Sequence, residues 1–552
     1  MAGPLIPAEH QPHLPRERLI LTEAPAEERI DMDVVFVGAG PAGLAGAIHL
    51  AQLVQRDNES GDGIGEVVIG VLEKAASLGE HSLSGAVVNP RAFRELFPGS
   101  SDEDFPFGGP VARESLYWLS ERRARRLPTP PSMRNHGNYV ASICEIVRWL
   151  GEKAQELGVD VLPGFPAGAL LTDGERVLGV RTVATGLGRE GEQLSGYLPP
   201  ADVVAKVTAL AEGTRGMLSL AYQEWQGIGS ENPQIYALGV KELWELKRPL
   251  DRVIHTMGWP LPNDVFGGSF MYPLEPTVAA LGLVVGLDYP DRTFDVHDRL
   301  QRMKAHPLFR EYLEGGELVE WGAKTIPEGG YYALPERLSG DGVVMLGDSA
   351  GFVDVPSLKG VHYAMQSGMF AARAIFEALK ADDTSRARLA TYDRLVAESY
   401  IRDDLYRTRN VRPAFTGGFF KGAIRAGLAT LTRGRFPGGR IDMEPDATAS
   451  RRPGAVPRVA YDGRLTYSKV DAVFKSGNAT RDTIPSHVIA GENLPPEVAE
   501  FYAHMCPAGV YEVSDGKLVV NAPNCVDCKA TDVVGPRWTP REGGAGPQYK
   551  RM

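Results

Sequence analysis

The polarity pattern is sharpest near the start of the chain. A short β-branched run, Val34-Val35-Phe36-Val37, passes at once into Gly38-Ala39-Gly40-Pro41-Ala42-Gly43, and an apolar stretch follows over residues 44–53. The run predicts a buried parallel strand and the stretch predicts a helix. Residues 34–50 are almost apolar enough and long enough to enter a bilayer, but the glycine spacing assigns them to strand, turn and helix, so no transmembrane helix is expected. A second apolar strand, residues 67–72, ends in Glu73 after a polar insertion at 55–66. A third, residues 342–346, leads into Gly347-Asp348-Ser349-Ala350-Gly351. Near the C-terminus Asp515-Gly516 sits between two short alternating runs and predicts a hairpin turn. Residues 1–30 hold no basic region leading into an apolar stretch, so they read as an extended leader and not as a secretory signal.

Strand, G-x-G-x-x-G and helix in that order form a phosphate cradle. Gly38 permits the tight turn, Gly40 lets a pyrophosphate approach the backbone, and Gly43 lets helix and strand pack closely. The anion then rests on the helix N-terminus, where free N–H groups and the dipole favour it. Glu73 is placed to accept hydrogen bonds from ribose hydroxyls, and the insertion accounts for its late position. The bland alternative is a glycine-rich turn in another α/β protein. Asp348, about 300 residues later, reads either as an N-cap aspartate or as the carboxylate that holds a flavin ribityl chain. A two-part site of this kind suits FAD lying across a discontinuous domain better than NAD.

Composition changes the picture little. Charged residues make up 23% of 552 residues and the net charge is −11, which argues against a nucleic-acid partner. Only four cysteines are present, Cys144, Cys506, Cys525 and Cys528, so there is no disulfide framework. Three of them cluster near the C-terminus, which points to metal ligation in a reducing compartment. Cys144 lies in an apolar amphipathic stretch and reads as core.

Longer segments carry a family likeness. Glu80–Gly85 (EHSLSG), Asn135–Tyr139 (NHGNY), YALGVKELW at 236–244, HTMGWP at 255–260, FGGSFMY at 266–272, LGLVVGLDY at 281–289 and CPAGVYE at 506–512 closely resemble the electron transfer flavoprotein–ubiquinone oxidoreductases, nearly from end to end. The resemblance implies an α/β fold with α+β insertions. It comprises a Rossmann-like FAD domain (31–220 and 335–400), a quinone-binding domain (221–334), a membrane-surface helix region (401–445) and a ferredoxin-like iron–sulfur domain (446–552). It implies electrons arriving from reduced electron transfer flavoprotein and leaving, through an iron–sulfur cluster and FAD, to ubiquinone or menaquinone. It implies a monotopic protein on the cytoplasmic face of a bacterial inner membrane, or the matrix face in a mitochondrion. Carried over by position, Ser82, Gly85 and Gly360 line the flavin ring, and the Gly267-Gly268 backbone meets the quinone carbonyl. Read from the residues alone, Gly267-Gly268 is a bare cavity wall or a β-bulge. A FixC-type flavoprotein or an isoprenoid-lipid reductase shares the flavin framework and is the rival reading; the first lacks the cysteine segment.

Residues 405–440 contain eight Arg or Lys and no acid, and Phe420, Ile424, Gly427, Leu428 and Leu431 share one helical face. A second basic group is Arg122, Arg123, Arg125 and Arg126. The pattern fits an interfacial helix facing anionic headgroups or a solvated surface helix with a core face. The family's use of a water-insoluble quinone favours the first.

The cysteine segment departs from the family. Relatives have one early cysteine and then C-x-x-C-x-x-C, four thiolates for a [4Fe–4S] cluster. Here Cys506, Cys525 and Cys528 match, but the fourth position is Thr531. Either Asp532 or solvent completes the coordination, or a three-iron cluster sits on three cysteines, or the cluster has been lost.

Overall fold

The computed structural model describes residues 4–61, 63–85, 87–456 and 459–552. Two large sheets organise them. The first runs in the order Ile20–Leu21, Ala167–Asp173, Arg176–Thr182, Asp202–Leu210, Ile30–Val37, Ile69–Glu73, Asp160–Pro163, with Val343–Met345 also joined to Asp202–Leu210. Ile30–Val37 lies parallel to both of its neighbours. This explains its unbroken apolar tail: Val34, Val35 and Phe36 are covered on both faces.

Helix Pro41–Glu59 follows, starting three residues before the apolar run and ending six residues after it, where its last turns lie on the surface. It packs so closely against helix Val361–Lys380 and strand Ile30–Val37 that only glycine fits at one point in each contact. A Cβ on Gly368 would lie 2.2 Å from the Ala42 carbonyl oxygen, and one on Gly46 would lie 2.6 Å from the Phe36 ring.

The second sheet runs Glu317–Pro327, Tyr236–Glu245, Val278–Gly286, Gly267–Glu275, Val253–Gly258, Glu114–Leu119, Ala124–Leu127, and is antiparallel except where Val253–Gly258 meets Glu114–Leu119. Its core holds one fully buried ion pair. Glu242 accepts from Lys304 Nζ and Gln301 Nε2, both at 2.9 Å, and from Trp244 Nε1 at 2.7 Å. With its oxygens satisfied in this way, the burial cost of the carboxylate is offset.

The C-terminal region is stitched to both sheets. Its hairpin, Tyr511–Ser514 with Lys517–Val520, turns through positive φ at Asp515 and Gly516, as the Asp-Gly pair predicts. The N-terminal leader is tied down: Leu5 exchanges backbone hydrogen bonds with Arg451, Ile20-Leu21 adds to the first sheet, and Gln11 donates to the carbonyls of Asp532 and Gly535.

Candidate functional site

At the end of the first strand the glycines divide their tasks as the spacing implies. Gly38 has φ +111°, and a Cβ there would lie 2.5 Å from the Ala211 carbonyl oxygen. A Cβ on Gly43 would lie 2.1 Å from the Gly38 oxygen. A Cβ on Gly40 would meet nothing within 4 Å, so space for a ligand lies beside this residue alone of the three. Glu73, at the tip of the neighbouring strand, accepts from the backbone N–H of Ala39 (3.0 Å) and Ala75 (2.9 Å), which aligns it with the cradle.

Asp348 and Gly360, about 300 residues after the cradle in the chain, stand together: a Cβ on Gly360 would lie 3.8 Å from Asp348 Oδ1. Burial pushes the Asp348 carboxyl up to about 6, the Lys324 charge opposing the shift. Lys359, next to Gly360, donates to Asn135 Oδ1 at 2.8 Å, and so ties the Gly360 loop to the Asn135–Tyr139 segment. Ser82 and Gly85 lie in the loop after Glu80. Ser82 N donates to Gly79 O, Leu83 reaches the second sheet near Gly322, and a Cβ on Gly85 would meet open space. These positions fit a long cofactor lying over Gly40 toward Gly360.

Gly267 and Gly268 open a strand in register with Val285 and Val284, so the pair is no β-bulge. Added Cβ atoms would lie 2.3 Å from the Val284 oxygen and 2.8 Å from the Thr256 oxygen. Close strand packing therefore demands glycine here, in addition to any ligand. The neighbouring Phe266 ring contacts Phe415, which contacts Phe419. Phe419 begins helix Phe419–Leu431, and its N–H donates to Asn263 O at 2.8 Å. Along this helix Phe420, Ile424, Leu428 and Leu431 are 61%, 68%, 42% and 82% exposed, an uncovered apolar face. Trp118 packs on Phe419 and Phe420, and the hairpin it leads into carries exposed Arg122 and Arg123 at its turn and exposed Arg125 and Arg126 on strand Ala124–Leu127. Not every base in 405–440 serves that surface. Arg412 is buried against Glu328 and Asp288, and Arg409 is buried beside Tyr332. Among the described residues no helix is long and apolar enough to cross a membrane.

Cys506, Cys525 and Cys528 line one cavity together with Thr531, Tyr511, Met505 and Lys529. Burial pushes the Cys525 thiol up to about 12 and raises the other two, with mutual repulsion adding to the shift at Cys528. Three buried thiols at one wall resist ionising unless a cationic centre binds among them, which is what an iron–sulfur core supplies. Three of the four expected thiolates are thus in place. Cys144 stands apart in the core, its S–H toward Ser82 O at 3.2 Å.

The structure corrects the reading of Asp532 as a fourth ligand. Its Oδ2 accepts from Arg215 Nε at 2.6 Å and its Oδ1 from Trp538 N at 3.2 Å, and it is fully buried away from the cavity lining. Both residues lie in the short helix Ala530–Val534, but the Asp532 side chain is turned toward Arg215, in the loop after the first sheet's strand Asp202–Leu210.

One buried centre was missed in the sequence. Asp527, inside the cysteine motif, receives Lys74 Nζ at 2.6 Å, Arg541 Nη2 at 2.8 Å and Trp538 Nε1 at 3.1 Å. Lys74 directly follows Glu73, so this carboxylate pins the cysteine loop to the nucleotide cradle. Thr325 N, in the second sheet, donates to Cys528 O at 2.9 Å. Trp538 and Arg541 lie 11 and 14 residues on, but Lys74 lies 453 residues away in the chain, and a charged residue between two cysteines was the only signal of that link.

Comparison with known proteins agrees with this geometry. Residues 236–326 match the family model described as "ETF-QO, ubiquinone-binding", and 463–550 match "Electron transfer flavoprotein-ubiquinone oxidoreductase, 4Fe-4S". The chain is 38% identical to the mitochondrial electron transfer flavoprotein-ubiquinone oxidoreductase of Oryza sativa subsp. japonica, over 95% of this chain and 94% of that one. It is 37% identical to the electron transfer flavoprotein-ubiquinone oxidoreductase of Pseudomonas aeruginosa, over 95% and 100%. Among solved structures, a geranylgeranyl bacteriochlorophyll reductase-like protein of Thermoplasma acidophilum (20% identity, TM-score 0.56, 73% of this chain, 92% of that one) shares the fold. So does the FAD-dependent myxobacterial chondrochloren halogenase (21%, 0.52, 76% and 95%).

Proposed function

This chain belongs to the electron transfer flavoprotein–ubiquinone oxidoreductase family, and on that premise we propose that it takes electrons from reduced electron transfer flavoprotein and delivers them to a membrane quinone. The carrying observation is that the cysteine cavity is fused to the nucleotide cradle through Lys74–Asp527, and to the second sheet, which carries Gly267-Gly268, through Thr325 N–Cys528 O. A metal centre and a flavin in one rigid neighbourhood serve electron passage. The reductase and halogenase folds alone give no reason for the cysteine loop.

FAD, when bound, supplies a two-electron centre that can be filled one electron at a time and emptied to a quinone. The chain's own residues bind and orient. Gly38, Gly40 and Gly43 receive the pyrophosphate on the helix N-terminus, Glu73 takes the ribose hydroxyls, Asp348 takes the ribityl chain, and Gly360, Ser82 and Gly85 border the ring. Cys506, Cys525 and Cys528 hold the cluster. Arg541 favours the Cys525 thiolate and Lys324 that of Cys528, which opposes the effect of burial on them.

The quinone enters beside Gly267-Gly268 from the membrane side. The support is continuity: the chain of rings Phe266, Phe415, Phe419 joins that strand to the exposed apolar face of helix Phe419–Leu431. We place this face, flanked by Lys421, Arg425 and the 122–126 arginines, in the headgroup layer of an anionic membrane, as a monotopic attachment. An anaerobic titration tests the reading. Reduced electron transfer flavoprotein should bleach the bound FAD, and a short-chain ubiquinone should restore its colour. A flavin indifferent to both would refute it.

A further inference from the structure

At the cluster cavity, the donor expected at the fourth corner is missing, and the structure shows what replaces it. Thr531 faces the cavity with the three cysteines, but its hydroxyl is already committed. The Pro536 carbonyl can only accept, so Thr531 Oγ1 donates to it at 3.1 Å. Tyr511 Oη is then the donor in the 2.6 Å contact with Thr531 Oγ1. A hydroxyl that keeps its proton and accepts from a phenol is a poor ligand for iron that favours soft anionic sulfur.

No other residue of the lining fills the role. Asp532 is held by Arg215 and Trp538, away from the cavity. Lys529 Nζ is engaged elsewhere, lying 3.3 Å from the centroid of the Trp538 ring and donating to Arg215 O at 3.5 Å, and Met505 offers a neutral thioether. His487 is the nearest outside donor. Its ring nitrogens are buried without hydrogen-bond partners, and one lies within 4.8 Å of the Cys525 sulfur and the Asp527 carboxylate. It does not line the cavity.

We propose that this chain holds its iron–sulfur cluster on Cys506, Cys525 and Cys528 alone, with no protein ligand at the Thr531 corner, so that the three-iron, four-sulfide form is the resting one and a fourth iron is exchangeable. The proposal rests on the cluster assigned above but differs from the family's four-thiolate arrangement. The exchange balances. Release of one ferrous ion from the dipositive four-iron, four-sulfide core leaves a neutral three-iron, four-sulfide core, with no electron gained or lost. Removal of one electron from that core, by dioxygen or quinone, gives its oxidised form.

The test uses the full FAD-containing chain purified without oxygen, assayed for iron, acid-labile sulfide and flavin, with EPR spectra of oxidised and reduced samples. The wild type should show iron and sulfide in a ratio of three to four and an EPR signal when oxidised. Thr531→Cys should show equal iron and sulfide, no signal when oxidised and one when reduced. Thr531→Val, which keeps the shape but removes the hydroxyl, should match the wild type. Independently of any variant, ferrous iron with a reductant should convert the wild-type signal to the four-iron one, and a chelator should reverse the change. Equal iron and sulfide in the wild type, unmoved by chelator, would overturn the open corner and turn attention to His487→Gln. Iron in Thr531→Cys but none in the wild type would also overturn it while leaving the flavin chemistry standing. Iron in neither would overturn the cluster itself.

Discussion

Replacing Phe420 and Ile424 together by aspartate should detach the protein from membranes. The size of the effect follows from exposure. Each of these side chains is roughly two-thirds uncovered in the folded protein. Full burial of a large apolar side chain is worth about 1.5–3 kcal/mol, so the two together offer a bilayer about 2–4 kcal/mol. At about 1.4 kcal/mol per tenfold, partitioning should weaken roughly 30- to 700-fold, before the cost of bringing two carboxylates to an anionic surface is added. The fold should survive, since neither ring nor chain fills the core. Sedimentation with vesicles containing anionic lipid, followed by flavin absorbance, reads the partition. Leu198→Asp, on an exposed strand elsewhere, is the control and should leave binding intact. Equal vesicle binding by the double variant and the wild type would show that this helix is not the attachment surface.

Further outcomes can be stated. Gly268→Val should abolish reoxidation of the flavin by quinone while dithionite still reduces it; because its Cβ meets the Thr256 oxygen, the melting temperature should fall too, and survival of quinone reduction at unchanged apparent affinity would contradict the site. A carboxyl raised to about 6 keeps its proton in the folded state while the unfolded chain, with a value near ~4, has lost it. The contribution of Asp348 to stability therefore falls as pH rises from about 4 to about 6. In the FAD-free protein Asp348→Asn should melt like the wild type near the lower limit and above it near neutrality; parallel curves would contradict the burial of that carboxyl. Lys304→Met strands the Glu242 carboxylate in the second sheet and should cost about 3–5 kcal/mol, read as a lower denaturation midpoint, and an unchanged midpoint would show that the pair is not needed.

The parts legible in the sequence were those specified by local geometry. Gly38, Gly40 and Gly43 could be given separate tasks because strand, turn and helix adjoin in the chain, and the structure keeps those tasks apart. The Asp515-Gly516 turn was equally local. The apolar face of helix Phe419–Leu431 appeared in the residue spacing, but the same reading assigned Arg412 to the surface, and the structure buries it against Glu328 and Asp288. Two acids from distant loops decide that, and no window of sequence contains them. Asp532 was drawn to the cluster by its charge and position, whereas Arg215, 317 residues away in the chain, claims it. The glycines at 267 and 268 were read as an opening for a ligand; the strand register adds a backbone reason that only pairing with Val284 and Val285 reveals. Long-range ion pairs and strand partners lay beyond reach, and they are what join the cysteine loop to the flavin cradle.

The central claim is that electrons pass from a reduced flavoprotein partner, through this chain, to quinone. Stopped-flow mixing of the anaerobic, oxidised protein with reduced electron transfer flavoprotein, followed by a second mixing with a short-chain ubiquinone, tests it most directly. The bound FAD should lose its visible absorbance in the first mixing and regain it in the second, with one quinol formed for each two electrons delivered. Flavin that stays oxidised after the first mixing, although dithionite can reduce it, would contradict the claim.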